Sequence, residues 1–493
     1  MSRVAAALKA QPDAPPAEFS SQSDLDHRYR YWRRRILFSS LIGYALFYFV
    51  RTNISVALPA MGKDLGYSKA DLGVVLTVGG VIYGVSKFIN GFLGDRANPR
   101  YFMAIGLVVS AAMNVLFGLS SGLTALATFW LVNNWAQGMG FPPCARNMGY
   151  WFAPEERSTS FGVWHTGHMI GAALVSVLTG YLVTHGWRLC FFVPAGLALG
   201  GVVFILNRLR DTPGSLGLPR VEQWKAQRPG FPVITVKSKG TTQPDSAPTL
   251  IAGGGSPGIG PGSAPGSPPE PPYRRVVIDR VFKNKYMWLI SVANFFVYTL
   301  RYASLHWGPT QLQEMKHLTP AASGWLQFGS EMCGMVGALG AGWVTDQYFN
   351  GRAGRVCTFA MVAMVAATVG FWFAPASLPW LAGGCFLLMG LMVYVPQMLI
   401  AAMAMNLGTQ RAAAAAVGLT GVFAYSSSVL SGWGIGRIVD TAGWNGAFQM
   451  LVACAAVTAV LMAMTWNVGA HAEPDIKPIG PDVEPVPAAV LAK

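Results

Sequence analysis

Long apolar runs, separated by short polar ones, set the plan of this chain. A helix needs about 20 apolar residues to cross a bilayer. Twelve segments qualify: residues 36–61, 72–93, 101–120, 124–150, 159–184, 188–208, 286–312, 321–344, 356–374, 378–404, 412–439 and 443–466. The pattern predicts an all-α membrane protein of twelve transmembrane helices. Polar stretches divide it into a basic N-terminal segment 1–35, six helices over 36–208, a loop 209–285, six helices over 286–466 and a proline-rich tail 467–493 expected to lack structure. Within the loop, Ser246 to Pro272 is nearly all Gly, Pro, Ser and Ala, the composition of a flexible linker.

Composition agrees. Of the 493 residues, 52% are hydrophobic and 12% charged, against about 25% charged in soluble domains. The first 35 residues are polar and basic, without an apolar leader core, so no cleaved signal is expected. The net charge of +14 could suggest nucleic acid, but its placement points elsewhere. Residues 1–35 and 208–285 hold 19 of the 36 Lys and Arg. Basic segments stay cytoplasmic, which predicts a cytoplasmic N-terminus, central loop and, after an even number of crossings, C-terminus. The excess reads as topology, with anionic lipid a secondary partner. Shorter inner loops carry Arg96, Arg100, Arg157, Arg352, Arg355 and Arg411, whereas the outer side has mainly Lys63, Lys69, Arg188 and Lys316. Cys144, Cys190, Cys333, Cys357, Cys385 and Cys454 lie in or beside apolar runs without a CxxC pair, so they read as small core residues.

No catalytic set emerges. Gly253 to Gly258 fits a dinucleotide fingerprint and Gly254 to Gly258 a nucleophile elbow, but neither follows a strand or opens a helix. No enzyme, metal or cofactor is expected.

The halves repeat. Tyr48-Phe-Val-Arg51 matches Tyr298-Thr-Leu-Arg301, and Gly91-Phe-Leu-Gly-Asp95-Arg96 matches Gly342-Trp-Val-Thr-Asp346. Pro142-Pro143 matches Pro396, and Gly186-Trp187 matches Gly443-Trp444, all in the same order. This predicts two pseudo-symmetric six-helix bundles with a site at the midplane between them.

A charge at bilayer depth costs about 2.5–3.5 kcal/mol on insertion scales. Arg51 and Arg301 both carry one, at the same expected depth in matching helices. Guanidinium forks fit phosphate oxygens in bidentate geometry and stay charged at any working pH. Glu331 is the single obvious acid at that depth, and one acid cannot neutralise both. The pair is expected to grip one small dianion. Tyr48 and Tyr298, repeated beside the arginines, are expected hydroxyl donors, with Tyr44, Tyr83, Tyr394 and Tyr425 as further candidates and Trp164 as either a wall of the site or plain core.

The layout resembles the major facilitator superfamily. Gly91-Phe-Leu-Gly-Asp95-Arg96-Ala-Asn-Pro-Arg100 is similar to its inter-helix signature, which implies that Asp95, Arg96 and Arg100, with Asp346 in the second half, brace a state closed on the inside. Narrower motifs resemble the bacterial organophosphate:phosphate antiporter family: Gly43-Tyr44-Ala-Leu-Phe-Tyr48-Phe-Val-Arg51, Tyr83-Gly-Val-Ser-Lys87-Phe, Gln137-Gly-Met-Gly-Phe-Pro142-Pro143-Cys-Ala-Arg146, Trp164-His-Thr-Gly-His168, Val297-Tyr298-Thr-Leu-Arg301-Tyr302 and Arg210-Asp-Thr-Pro-Gly-Ser-Leu-Gly-Leu-Pro219. The resemblance runs from about residue 28 to 466, less the linker. It implies exchange of phosphoglycerate, glycerol 3-phosphate or hexose phosphate for inorganic phosphate, by a monomer of the bacterial inner membrane. It also implies that His168 touches phosphate and that Lys87 faces the pore; His165, one turn from His168 on the same face, is a further candidate at a position where family members often carry Asn. The family includes a hexose-phosphate sensor that this chain resembles around residues 28–51, so a receptor working with a membrane histidine kinase is the alternative. A proton-coupled symporter would need a buried acid, for which Glu331 is the candidate. At two positions the chain departs from the glycerol-phosphate pattern: Thr52 replaces a lysine and His306 an aspartate. Losing both together leaves no orphan charge, and His306 is expected to favour a more acidic ester.

Overall fold

The computed structural model describes residues 9–226 and 273–468. The Ser246–Pro272 stretch, its glycine motifs and the tail beyond residue 468 lie outside the described residues. Fourteen helices carry the fold: α1 (Gln22–Phe49), α2 (Ile54–Leu65), α3 (Lys69–Arg96), α4 (Pro99–Leu119), α5 (Leu123–Gln137), α6 (Phe141–Trp151), α7 (Pro154–Leu182), α8 (Leu189–Arg208), α9 (Lys285–Tyr302), α10 (Gly308–Lys316), α11 (Pro320–Phe349), α12 (Ala353–Phe373), α13 (Pro379–Ser426) and α14 (Ile435–Ala463). Among the described residues, 8 helical runs are long and apolar enough to cross a membrane.

The expected apolar segments lie on helix, four of them with an interruption, and the tenth and the start of the eleventh share the single helix α13. The first is α1 plus α2, with a break at residues 50–53; the fourth is α5 plus α6, broken at 138–140. Wide π turns interrupt the seventh at Ala303–Trp307 and the eleventh at Leu430–Gly434. α14 turns at Gly443, whose φ of 67° suits a residue without Cβ. Helix α1 also begins earlier than residue 36. Ser21 caps it, accepting from the Asp24 amide at 3.2 Å. Its basic turns are held by aromatic contacts: Tyr29 stacks on Trp224 at 4.2 Å, and Arg33 pairs with Glu156 at 2.5 Å while lying over Phe152.

In the first half α1 packs on α7, α3 on α5 and α4 on α8; in the second, α13 collects α9, α11 and α12, and α12 packs on α14. The halves meet along α7 with α11, and along α3 with α14 and the 430–434 turn. Small residues allow the approach, as membrane helix pairs require. A Cβ at Gly324 would lie 2.4 Å from the Ser176 carbonyl, and one at Gly436 would lie 2.2 Å from that of Lys69.

Polar contacts reinforce this seam at the end of the molecule away from the start of α1. Asp440 accepts from the Lys69 and Ala70 amides at 3.1 and 2.7 Å, holding the positive end of α3. Glu314 pairs with Lys69 at 3.1 Å and accepts from Trp444 at 2.9 Å. Gly436→Val is therefore expected to hold this end apart. Spin labels on α3 and α14 should read a longer distance than in the unsubstituted chain; an unchanged distance would contradict the packing account.

At the opposite end the expected brace takes another form. Arg96 is exposed, its carbonyl accepts from Ala10 N–H at 3.1 Å, and its side chain pairs with no acid among the described residues. Arg100 lies over its neighbour Tyr101 and pairs with no acid among the described residues. Asp346 is exposed and likewise without an ion pair among them, and the Asp95 side chain lies outside the described set. The acid that organises this end is Asp211. It pairs with Arg146 at 2.9 Å and accepts from Gln11 N–H at 2.8 Å, while Arg146 also reaches the Ala97 carbonyl. Burial raises the Asp211 carboxyl above its usual range, and Arg146 opposes that rise. The physical reason is the seam itself: the halves close at the far end, and the expected brace belongs to the opposite closure.

Candidate functional site

Arg51 stands in the break between α1 and α2. Ending α1 at Phe49 frees backbone carbonyls inside an apolar bundle, where each must find a donor. Asparagines supply them. Asn114 and Asn133 each donate to the Val50 carbonyl at 2.9 Å, and Asn53 donates to Asn114 and to the Cys190 carbonyl at 2.8 Å. Thr52 donates its hydroxyl to the Tyr48 carbonyl at 3.0 Å. Thr52 thus closes the broken turn. An Asn114→Leu, Asn133→Leu double variant, which strips the Val50 carbonyl of both side-chain donors, should lose about 1–3 kcal/mol, read as a lower midpoint of thermal unfolding in detergent; an unchanged midpoint would count against this role.

The second arginine is placed in a related way. Arg301 ends α9 just before the π turn, and Trp307 in that turn donates to the Ser431 carbonyl of the other π turn at 2.9 Å. Irregular backbone in both halves therefore surrounds the cationic residues, as is usual where a bundle lines a cavity.

The two guanidinium groups are buried, 8% and 5% exposed, but differ in company. Arg51 lies face-on over Tyr83 at 3.6 Å, with Tyr48 at 5.3 Å, and pairs with no carboxylate among the described residues. Arg301 donates to Glu331 at 3.0 Å and also bonds Tyr394, whose hydroxyl donates to Glu331 at 2.6 Å. Gln327, one turn away on α11, holds the other Glu331 oxygen at 3.2 Å. Glu331, the acid expected at this depth, thus pairs with Arg301 and leaves Arg51 without a carboxylate among the described residues. Tyr394, 2% exposed, serves this pair and does not line open space.

The other expected residues gather around the arginines. Lys87 donates to the Tyr425 hydroxyl of the opposite half at 3.2 Å and lies over Phe141 at 4.2 Å. Tyr425 contacts Tyr83 at 5.3 Å and Tyr298 at 6.0 Å between ring centres. On the other side Tyr48 meets His168 at 5.3 Å, His168 meets His165 at 4.4 Å, and His168 Nδ1 bonds the His165 carbonyl. Tyr44 joins them through Tyr48 and His168. Trp164 is fully buried behind Tyr44, bonded to the Ser40 carbonyl at 3.3 Å, so it backs the cluster and is no wall of it. His306 stacks on Tyr302 at 5.6 Å, with Nδ1 3.5 Å from Ser55 Oγ. Tyr48, His168, Tyr302 and His306 each lie within electrostatic reach of both guanidinium groups. With Glu331 bound to Arg301, Arg51 and Lys87 leave the cluster positive.

Sequence reasoning missed Tyr302 and Gln327. The spacing Tyr298, Tyr302, His306 puts all three on one helix face, which was the available signal for Tyr302.

Two helical halves closed over a buried cationic cluster define a multi-span membrane carrier. The chain belongs to the Major Facilitator Superfamily, which it matches over residues 40–432. It is 36% identical over 464 residues to a "Probable hexose phosphate transport protein" of Chlamydia pneumoniae, covering 93% of this chain and 96% of that one. It is 34% identical over 467 residues to a "Glycerol-3-phosphate transporter" of Bacillus subtilis, covering 93% and 98%. It is also 33% identical over 456 residues to the "Membrane sensor protein UhpC" of Escherichia coli, covering 92% and 96%. Among solved structures, an inward-facing, unoccupied bacterial homolog of the human lysosomal transporter Spinster superposes with a TM-score of 0.65 at 14% identity, over 88% of this chain and 96% of that one, which bears on the fold alone.

Proposed function

We propose that the protein exchanges a small phosphate ester for inorganic phosphate across the bacterial cytoplasmic membrane, with both termini cytoplasmic. The observation that carries this is Arg51: a buried guanidinium, caged by Tyr83 and Tyr48, without a carboxylate partner among the described residues. A group so placed is stabilised by an anion that arrives and leaves. The names of the relatives, hexose phosphate and glycerol 3-phosphate transporters, support the same class.

The mechanism is alternating access by rocking of the halves. Phosphate enters from the end opposite the sealed seam and meets Arg51, Lys87 and His168. It then competes with Glu331 for Arg301. A phosphoryl group held by both arginines ties the halves at mid-depth, which favours closing the near end and releasing the Lys69–Glu314 and Asp440 contacts. A ligand shifts such an equilibrium only by binding one state better than the other. An empty site leaves Arg51 unpaired on closure, so return without cargo is slow and flow is exchange.

Counterflow of radiolabelled phosphate in proteoliposomes against a panel of phosphate esters tests the reading. Saturable exchange with at least one ester is expected; no exchange with any would overturn it. The identity to a membrane sensor favours a second reading, in which the same site reports external sugar phosphate to a membrane histidine kinase. Ligand binding without exchange would select that reading.

A further inference from the structure

A small cavity lies beyond Arg51, on the side away from Lys87. Its wall includes Arg51, Asn134, Tyr302, His306, Ser428 and Ser431, drawn from both halves. The lining offers a guanidinium, an imidazole, a phenol and two hydroxyls, and no carboxylate. Ser428 is the telling member. It is 4% exposed, and its Oγ has no hydrogen-bond partner among the described residues. Buried polar groups are almost always bonded, so an orphan hydroxyl at a cavity marks a place for a ligand atom. Gly80 makes room for it: a Cβ there would lie 2.0 Å from Ser428 Oγ. The cavity measures about 20 Å³, where a single water needs about 10–15 Å³. It therefore admits one small polar group and excludes a sugar ring.

We infer that this cavity is a second subsite, taking the carboxylate of a short phosphorylated acid whose phosphoryl group sits between the arginines. The inference rests on the exchange reading above and narrows its substrate to three-carbon phosphorylated acids. Arg51 borders both places, so the two acidic groups must lie only a few bonds apart. Ser428 and Tyr302 donate to the carboxylate, His306 donates through its free ring nitrogen, and Arg51 supplies charge to both groups. A neutral hydroxymethyl group in the same place leaves that charge less used. A hexose must lie wholly on the Lys87 side.

The experiment is counterflow from phosphate-loaded proteoliposomes, comparing 3-phosphoglycerate with glycerol 3-phosphate. The unsubstituted chain should prefer the acid by about tenfold or more, because a site built of donors rejects a ligand that leaves them unpaired. Ser428→Ala should reduce that preference. Ser428→Val, which removes the hydroxyl and fills the cavity, should abolish it. Both variants should keep phosphate self-exchange. Equal uptake of the two esters by the unsubstituted chain would overturn the subsite, as would a preference unchanged in both variants or self-exchange lost together with acid uptake. Failure of the carrier reading is separately visible, as absence of phosphate self-exchange in the unsubstituted chain. Equilibrium binding of labelled 3-phosphoglycerate then reads the subsite directly, with the same order of variants expected and an unchanged order overturning it.

Discussion

Arg51→Lys is expected to lower phosphate exchange by about two orders of magnitude or more, although the charge is kept, since truncating a buried charged contact costs about 2–5 kcal/mol. The geometry explains why. The Arg51 Cζ lies over the Tyr83 ring, 3.6 Å from its centroid, and the guanidinium pairs with no carboxylate among the described residues. Lysine is a point charge on a flexible stem, so it can sit over Tyr83 or point at phosphate but cannot hold two oxygens in a plane. Arg301→Lys should also cripple exchange, and by a different route: Glu331 would keep the shorter ammonium in a tight pair and compete better against phosphate. Initial rates of phosphate self-exchange in proteoliposomes, normalised to inserted protein, check both. Near-normal exchange by Arg51→Lys would contradict the account.

The second large effect belongs to Glu331→Gln. In the structure Glu331 occupies Arg301 together with Tyr394 and Gln327. Removing one partner of a buried pair leaves the other charge uncompensated, at a cost of about 3–5 kcal/mol. The empty protein should therefore unfold at lower temperature. Phosphate then gains Arg301 without a competitor, so it should bind more tightly and restore more of the lost stability than in the unsubstituted chain. Turnover should nevertheless fall, because release needs an acid to take Arg301 back. Thermal unfolding with and without phosphate, beside exchange rates, reads all three. Weaker phosphate binding by the Gln variant would show that Glu331 supports the ligand instead of competing with it.

Hydropathy and the internal repeat made the helical segments legible, together with the two arginines at matched depth. Period and composition mark where a helix is apolar but not where it breaks. Nothing in Phe49-Val-Arg51-Thr predicts that α1 stops there. The break is stable because Asn114 and Asn133 come from two other helices to meet the Val50 carbonyl, a non-local arrangement. Buried asparagines in three apolar segments were a usable sign that backbone needed partners, and that sign went unread. The Arg301–Glu331 pair was partly legible, since Glu331 stood out as an acid at depth. Choosing which arginine it serves required knowing that α11 and α13 place Glu331 and Tyr394 on one side of α9. The expected inner brace belongs to another state of the protein. A sequence carries the contacts of every state the protein visits, and Arg96, Arg100 and Asp346 form no ion pair among the described residues of a structure closed at the opposite end.

The central claim is that one phosphate is shared by Arg51 and Arg301. Phosphate affinity measured for the unsubstituted chain, Arg51→Ala, Arg301→Ala and the double variant tests it most directly, since groups acting on one ligand atom set couple strongly. Each single substitution should weaken binding severely, and the double should be no weaker than the worse single. Losses that add independently, or binding indifferent to Arg301, would contradict a shared phosphate.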